Sequence, residues 1–325
     1  MTVVFPLFHL PLVAMEHVLC MMNPYELINL SLTSSRTKRR VKCFTRTKEK
    51  FEAELSIDQK NPNISIDPEG ESWGYTWTSD KSNICYEAKI FLIGYETLRF
   101  AEKPIEELMK WYDYVNEVLS CKCSTFCVDL DCCPKQNRLI ADWISSRHNS
   151  VSCLRIEGKG KQCSEDIKYL LSNIKCYERL LLFMTNIEDN FEAEIPEGCE
   201  YLHVKDAKFI EYEQFLRLKH KEITLLQSIL TNQDLNRFLK SWIACETHLE
   251  LKTLSINFPN PDAMQLLMDI PYEVTTDPNI IERFKWYPFN SDVTSGYNIR
   301  RSDGTVATLC VTKVENLWHL VMIIY

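Results

Sequence analysis

One recurring pattern dictates the architecture of most of this 325-residue chain. An apolar residue, two others, an apolar residue, one other and an apolar residue appear as Val151-Leu154-Ile156, Tyr177-Leu180-Leu182, Cys199-Leu202-Val204 and Leu251-Leu254-Ile256, with Val128-Leu130 and Ile223-Leu225 as weaker copies. The central positions 128, 154, 180, 202, 223 and 254 lie 26, 26, 22, 21 and 31 residues apart, against the roughly 20–29 of leucine-rich repeats. Helical spacing falls between several of them, in Leu139, Ile140, Trp143 and Ile144, in Ile167, Leu170, Leu171 and Ile174, and in Leu235, Phe238, Leu239, Trp242 and Ile243. The last of these helices opens with the capping signature Thr231-Asn232-Gln233-Asp234. A strand followed by a helix at a steady period predicts an irregular, leucine-rich-repeat-like solenoid with a parallel sheet on its inner face. The competing arrangement is a doubly wound α/β domain of unrelated units; glycine-rich phosphate loops are missing, and so is the asparagine ladder of regular leucine-rich repeats. In a strand read as apolar-x-apolar, both apolar residues point into the core and the one between points out. Asp129, Arg155, Leu181, His203, Thr224 and Ser255 are therefore expected to line up as one outward row, a candidate surface for a protein target.

The N-terminal stretch from Phe5 to Lys42 has a different period. Leu12, Met15, Leu19 and Met22 fall three and four apart with Val18 beside them, on one helical face. Asn23-Pro24-Tyr25-Glu26 then supplies an N-cap, a proline at the first helical position and a capping-box glutamate for a second helix carrying Leu27, Ile28 and Leu30. Thr33-Ser34-Ser35 offers a further N-cap for a basic third helix from about Arg36 to Lys42. Three short helices this apolar cannot bury their surface among themselves in about 40 residues.

At these residues the sequence resembles an F-box. The Leu10-Pro11 opening, the helix ending at Met22-Asn23-Pro24, the run ELINLSLTSSR and the basic third helix carry the likeness, and the last three resemble the nematode-expanded F-box proteins in particular. The run from Asn232 to Ile256, NQDLNRFLKSWIACETHLELKTLSI, resembles the F-box-associated type 2 domain that accompanies this F-box. The resemblance implies a non-catalytic substrate-recognition subunit of a cullin–RING ubiquitin ligase. Its partners would be a Skp-type adaptor, a cullin scaffold and an unknown protein substrate. The adaptor-binding residues it implies are Leu10, Pro11, Met15, Val18, Leu19, Met22, Pro24, Leu27 and Leu30, with Leu19 and Leu27 as central anchors. The rival reading is a leucine-rich-repeat-like scaffold that recruits no ligase.

Between these regions, Phe51, Ala53, Leu55 and Ile57 alternate as a strand does, Asn61-Pro62 and Asp67-Pro68-Glu69-Gly70 are turn signals, and short strands follow through Trp73, Tyr75, Trp77 and from Ile84 to Ile93. Pro104 starts a helix whose apolar face is Ile105, Leu108, Met109, Tyr112, Val115 and Leu119. The C-terminus reads as an antiparallel meander, with Tyr297 to Arg301, a Ser302-Asp303-Gly304 turn, Thr305 to Val311 and the nearly all-apolar Leu317 to Tyr325, which must be buried and is expected to cap the open end of the solenoid. The expected fold is α+β or α/β. Its parts are an F-box at 5–43, a β-rich joint at 44–103, a repeat region with the F-box-associated domain at 104–285, and a β meander at 286–325.

Hydrophobic and charged fractions of 45% and 25% are ordinary globular values. A net charge of −8 and a pI near 5.5 leave no electrostatic footprint for nucleic acid. The basic cluster Arg36, Lys38, Arg39, Arg40, Lys42, Arg46, Lys48 and Lys50 is local, and reads as the solvated face of a helix rather than a nuclear-localisation patch. No cation precedes Arg36, and Glu16 interrupts the first apolar run, so neither a signal peptide nor a membrane span is expected. The place expected is the cytoplasm or nucleus, where the 14 cysteines would be reduced.

Cys121, Cys123, Cys127, Cys132 and Cys133 crowd into thirteen residues, yet Cys132-Cys133 is too tight for a zinc knuckle and the nearest downstream histidine is His148. Gly158-Lys159-Gly160-Lys161 lacks the spacing of a phosphate loop, and no H-E-x-x-H or G-x-S-x-G occurs. No active site, metal or cofactor is expected.

Overall fold

The structure is a computed structural model that describes residues 7–47, 51–58, 61–67, 72–83, 88–89, 94–159, 163–188, 191–258, 267–285, 293–314 and 317–325. The sequence readings at Phe5, Lys48, Lys50, Pro68 to Gly70, most of Ile84 to Ile93, and Gly160-Lys161 lie outside these residues. The chain forms two compact units, Met1–Val128 and Asp129–Tyr325.

The first unit joins an N-terminal helical region to a sheet. A 3-10 turn at Leu7–His9 precedes α1 (Leu12–Cys20), α2 (Pro24–Leu32) and α3 (Ser35–Thr47). Strands β1 (Glu52–Ile57), β2 (Asn63–Asp67), β3 (Ser72–Thr78), β4 (Ala88–Lys89) and β5 (Gly94–Phe100) follow, then α4 (Pro104–Leu119) and β6 (Lys122–Asp129). The strand order is β6-β1-β2-β3-β5-β4, antiparallel from β1 to β3 and parallel where β6 meets β1 and β5 meets β3. Alternation decides the faces: Ala53, Leu55 and Ile57, Ile64 and Ile66, and Trp73, Tyr75 and Trp77 are buried. The face of α4 foreseen from its spacing, Ile105, Leu108, Met109, Tyr112, Val115 and Leu119, is buried throughout.

The second unit carries α5 (Asn137–Arg147), β7 (Val151–Lys159), α6 (Ser164–Asn173), β8 (Cys176–Thr185), β9 (Tyr201–Val204), α7 (Tyr212–Arg217), β10 (Glu222–Leu225), α8 (Asn232–Ile243) and β11 (Thr253–Phe258). It ends with β12 (Glu273–Thr275), α9 (Pro278–Lys285), β13 (Gly296–Arg300), β14 (Val306–Val314) and β15 (Leu317–Ile324). Strands β7 to β11 run parallel in sequence order; β15 then pairs antiparallel with β11, and β14, β13 and β12 complete the sheet. The register aligns Leu154, Leu180, Leu202, Ile223, Leu254 and Met322 in one file and Ile156, Leu182, Val204, Leu225, Ile256 and Leu320 in the next. All twelve are buried, each contributing about 1.5–3 kcal/mol of transfer free energy. Apolar faces of α5 to α8, including Ile140, Ile144, Ile167, Leu170, Phe215, Phe238 and Trp242, are buried with them.

Four expected apolar positions differ, among them Tyr325, which is exposed after the end of β15. Leu139 is exposed because the buried side of α5 runs through Ile140, Ala141, Trp143 and Ile144. Tyr177 is exposed and Cys176 occupies the inward place, where the β7–β8 register shifts between Val151 and Cys153. Leu317 is also exposed, while Leu320 to Ile323 are buried between β11 and β14.

Candidate functional site

The first helices leave apolar surface uncovered. Asn23 caps α2 by accepting from the Glu26 amide at 2.9 Å, while the Glu26 carboxylate accepts the Asn23 amide at 3.0 Å, with Pro24 at the first turn. Ser34 performs the same task for α3, accepting the Thr37 amide at 3.2 Å. With the helix ends fixed, Met15, Leu19, Pro24, Leu27 and Ile28 turn into the interior of the unit. Leu10, Val18, Met22 and Leu30 are half-buried and Pro11 is exposed. Beside them Leu12, Val13, Met21 and Leu32 are 60%, 66%, 85% and 51% exposed. Large apolar side chains this open and this close in sequence form the kind of patch that marks a protein interaction site.

Tyr25 ties α2 to the sheet of its own unit. Its hydroxyl donates to the backbone carbonyls of Gly74 and Tyr95, and its ring meets Trp73 edge-on at 5.1 Å and Tyr75 at 4.7 Å. Burial raises the Tyr25 pKa, so the phenol stays a donor at neutral pH. On α3, Lys38 and Lys42 reach Glu117 of α4 at 2.8 and 3.1 Å, which lowers the Glu117 pKa.

The outward row of the second unit is in register: Arg155 pairs with Leu181, Leu181 with His203, His203 with Thr224 and Thr224 with Ser255. Its exposure is uneven. Arg155, Leu181 and His203 are half-buried, with the Arg155 guanidinium 4.7 Å from the centre of the Phe183 ring and His203 4.8 Å from it. Asp129, Thr224 and Ser255 are buried, which corrects the expectation of a uniformly open row. Asp129 is spent locally, its carboxylate accepting the Asp131 amide at 3.0 Å. Ser255 pairs with Val321, and Val321 lies in an apolar cluster with Phe284 of α9, Cys310 and Ile323. Among the described residues no group of three or more His, Cys, Asp or Glu side chains is placed to hold a metal ion.

Two family models match the chain, one described as F-box domain over residues 7–48 and one as F-box associated over residues 190–256. The chain is an F-box protein with an F-box-associated domain. No curated protein and no solved structure matches it. The F-box comprises α1 to α3, and the F-box-associated segment comprises β9, α7, β10, α8 and β11 as far as Ile256. Residues outside that segment also hold it. Thr231 closes a capping box with Asp234 at the start of α8, but the other end is pinned by the C-terminal meander. There the Ser302 amide donates to the Ile243 carbonyl at 2.8 Å, and Arg301 donates to the Leu249 carbonyl at 3.1 Å. Arg301 also lies over the Trp242 ring and pairs with Asp303, whose pKa it pulls far down. Gly304 closes this turn at φ 94°, a left-handed conformation that costs glycine least.

Helical periodicity marks positions that share a face but not which face meets the rest of the chain, so it groups the exposed Leu12 with the buried Met15 and Leu19 and does not mark Val13, Met21 and Leu32. The signal that could have found them is the surplus: α1 has more apolar positions than one stripe can bury. No helix among the described residues is long and apolar enough to cross a membrane.

Proposed function

We propose that this F-box protein is a non-catalytic substrate-recognition subunit of a Skp–cullin–F-box ubiquitin ligase, with transfer chemistry belonging to other subunits. The observation that carries the reading is the F-box match over residues 7–48 together with the uncovered apolar side chains Leu12, Val13, Met21 and Leu32. The adaptor contacts are assigned to these four with Leu10, Pro11, Val18, Met22 and Leu30. Met15, Leu19, Pro24 and Leu27 shape that face from beneath. Interfaces of this type draw most of their affinity from a few apolar anchors that become fully desolvated on docking.

The remainder of the chain would select the target. We read β7 to β11 as an irregular leucine-rich-repeat-like solenoid, on the strength of the steady spacing and the shared register of five parallel strands. Its open inner face offers Arg155, Leu181 and His203 as target contacts; Asp129, Thr224 and Ser255 support them from buried positions. Direct titration of the purified full chain with a recombinant Skp-type adaptor tests the reading. Saturable binding that is weakened at least tenfold by Leu12→Ala with Met21→Ala is expected, and no binding by the folded wild-type chain would overturn it.

A further inference from the structure

The turn that joins β6 to α5 sets two adjacent thiols side by side. Sequence adjacency alone does not do this, because neighbouring side chains point to opposite faces of a strand and diverge by about 100° around a helix. Between β6 and α5 the chain is neither, and the sulfurs of Cys132 and Cys133 lie 3.8 Å apart, with the Cys133 thiol donating to Cys132. Both residues are half-buried. Backbone bonds fix the turn on either side of them: the Cys132 amide donates to the Asp129 carbonyl at 3.2 Å, and the Gln136 amide donates to the Cys133 carbonyl at 2.8 Å. The acids of the turn are engaged elsewhere. Asp129 accepts the Asp131 amide at 3.0 Å, and Asp131 accepts the Lys159 amide at 2.6 Å and the Cys163 thiol at 3.2 Å. Burial and that hydrogen bond push the Cys163 thiol up to about 12, so Cys163 keeps its proton and stays a donor to Asp131.

Two thiols held this way suit a bridging atom better than a bond to each other. Disulfides join residues whose Cα atoms are usually about 4.4–6.8 Å apart, while consecutive Cα atoms across a trans peptide are fixed at about 3.8 Å. The peptide between Cys132 and Cys133 is trans, so direct closure would have to distort the turn and its two backbone bonds. A soft atom set between the sulfurs asks for no such movement. Thiolate bonds to zinc are about 2.3 Å long, and two of them at a tetrahedral angle hold their sulfurs about 3.8 Å apart. Zinc itself needs more than the pair supplies, since structural zinc sites take four protein ligands and no group of three or more His, Cys, Asp or Glu among the described residues is placed to hold a metal ion. The chemistry left is a thiophilic centre that is complete with two thiolates and one substituent of its own, and trivalent organic arsenic is such a centre.

We propose that Cys132 and Cys133 together bind a monosubstituted trivalent arsenical. In the hydrated form R–As(OH)2 each As–O bond breaks as an As–S bond forms, each thiol proton leaves with a hydroxide as water, and arsenic and sulfur keep their oxidation states. The inference rests on nothing in the adaptor reading. The test is a titration of the full chain, reduced with a phosphine, with phenylarsine oxide, which supplies that hydrate in water. Calorimetry reads the affinity, and fragmentation of the labelled protein in a mass spectrometer locates the adduct. The expected result is one arsenic carried jointly by Cys132 and Cys133. It should be bound at least tenfold more tightly than by the free peptide Asp-Leu-Asp-Cys-Cys-Pro-Lys-Gln, which has the same two thiols without the contacts that anchor the turn. Cys132→Ser and Cys133→Ser should each weaken binding at least tenfold while keeping the wild-type unfolding midpoint. Should a variant fail to fold, the comparison of chain with peptide and the position of the adduct still decide. An adduct on other cysteines, equal affinity for chain and peptide, or full binding by a folded single-serine variant would overturn the assignment.

Discussion

The F-box and the F-box-associated segment solve the same problem in opposite ways. In the F-box, α1 and α2 bury Met15, Leu19, Leu27 and Ile28 and still leave Leu12, Val13, Met21 and Leu32 in solvent. In the F-box-associated segment, Leu202, Val204, Ile223, Leu225, Leu235, Phe238, Leu239 and Trp242 are all buried, and the surface left over is mainly charged. Short helices in a small module have more apolar positions than their own interior can take, so the surplus becomes an interface; a sheet covered by helices has an interior that takes them all. An exposed apolar face in the first region is thus a statement about a partner, whereas apolar residues in the second are statements about stability.

Substitutions can break that contrast, and the largest effect belongs to the interior of the second region. Trp242→Ala removes a fully buried indole that Arg301 covers, and a loss of about 3–5 kcal/mol is expected in denaturant unfolding. An unfolding midpoint close to that of the wild type would mean the F-box-associated core is not organised around this residue. Leu19→Ala in the F-box should likewise cost about 2–5 kcal/mol of stability, since Leu19 is wholly buried, and any loss of adaptor binding should track loss of folded protein.

Leu12→Ala with Met21→Ala should do the reverse. Stability should change by less than about 0.5 kcal/mol per site while adaptor affinity falls at least tenfold, as seen by calorimetry and unfolding on one preparation. If this pair destabilises the fold as much as Leu19→Ala does, the two classes of apolar residue are one class.

Acid should sharpen the contrast from another side. Burial lowers the pKa of His203, His220, His248 and His319, all in the second unit. A histidine with a depressed folded pKa is protonated more readily when unfolded, so its contribution is complete above about 6.5 and is lost as the pH falls through the folded value, about 4 for His248. The unfolding midpoint of the second unit should therefore drop between pH 6.5 and 4, and His248→Phe should flatten that slope. The smallest effect is Glu117→Gln, which removes an exposed carboxylate from two half-buried lysines and should cost only a few tenths of a kcal/mol, vanishing in high salt.

Much of this was legible from the residues. Both capping boxes, the apolar face of α4 and the parallel files through Leu154 to Leu254 follow from spacing alone, because period and cap chemistry are local properties. The in-register row was legible for the same reason. Its burial was not, since Ser255 neighbours Val321 and Val321 packs with Phe284, which lies 29 positions further along the sequence than Ser255. The different exposure of Leu12 and Leu19 was not legible, because helical phase tells which residues share a side and not what covers that side. The closeness of the Cys132 and Cys133 sulfurs was illegible, since adjacency in sequence does not tell on which side of a turn two side chains fall.

The most direct measurement is affinity purification of the tagged full chain from cells under proteasome inhibition, in parallel with the Leu12→Ala, Met21→Ala variant. The expected result is a Skp-type adaptor and a cullin recovered in stoichiometric amounts with the wild type and lost from the variant, while the variant keeps its wild-type unfolding midpoint. Recovery of neither subunit with the folded wild-type chain, or of both in equal amount with the variant, would contradict the assignment of the exposed F-box face to ligase recruitment.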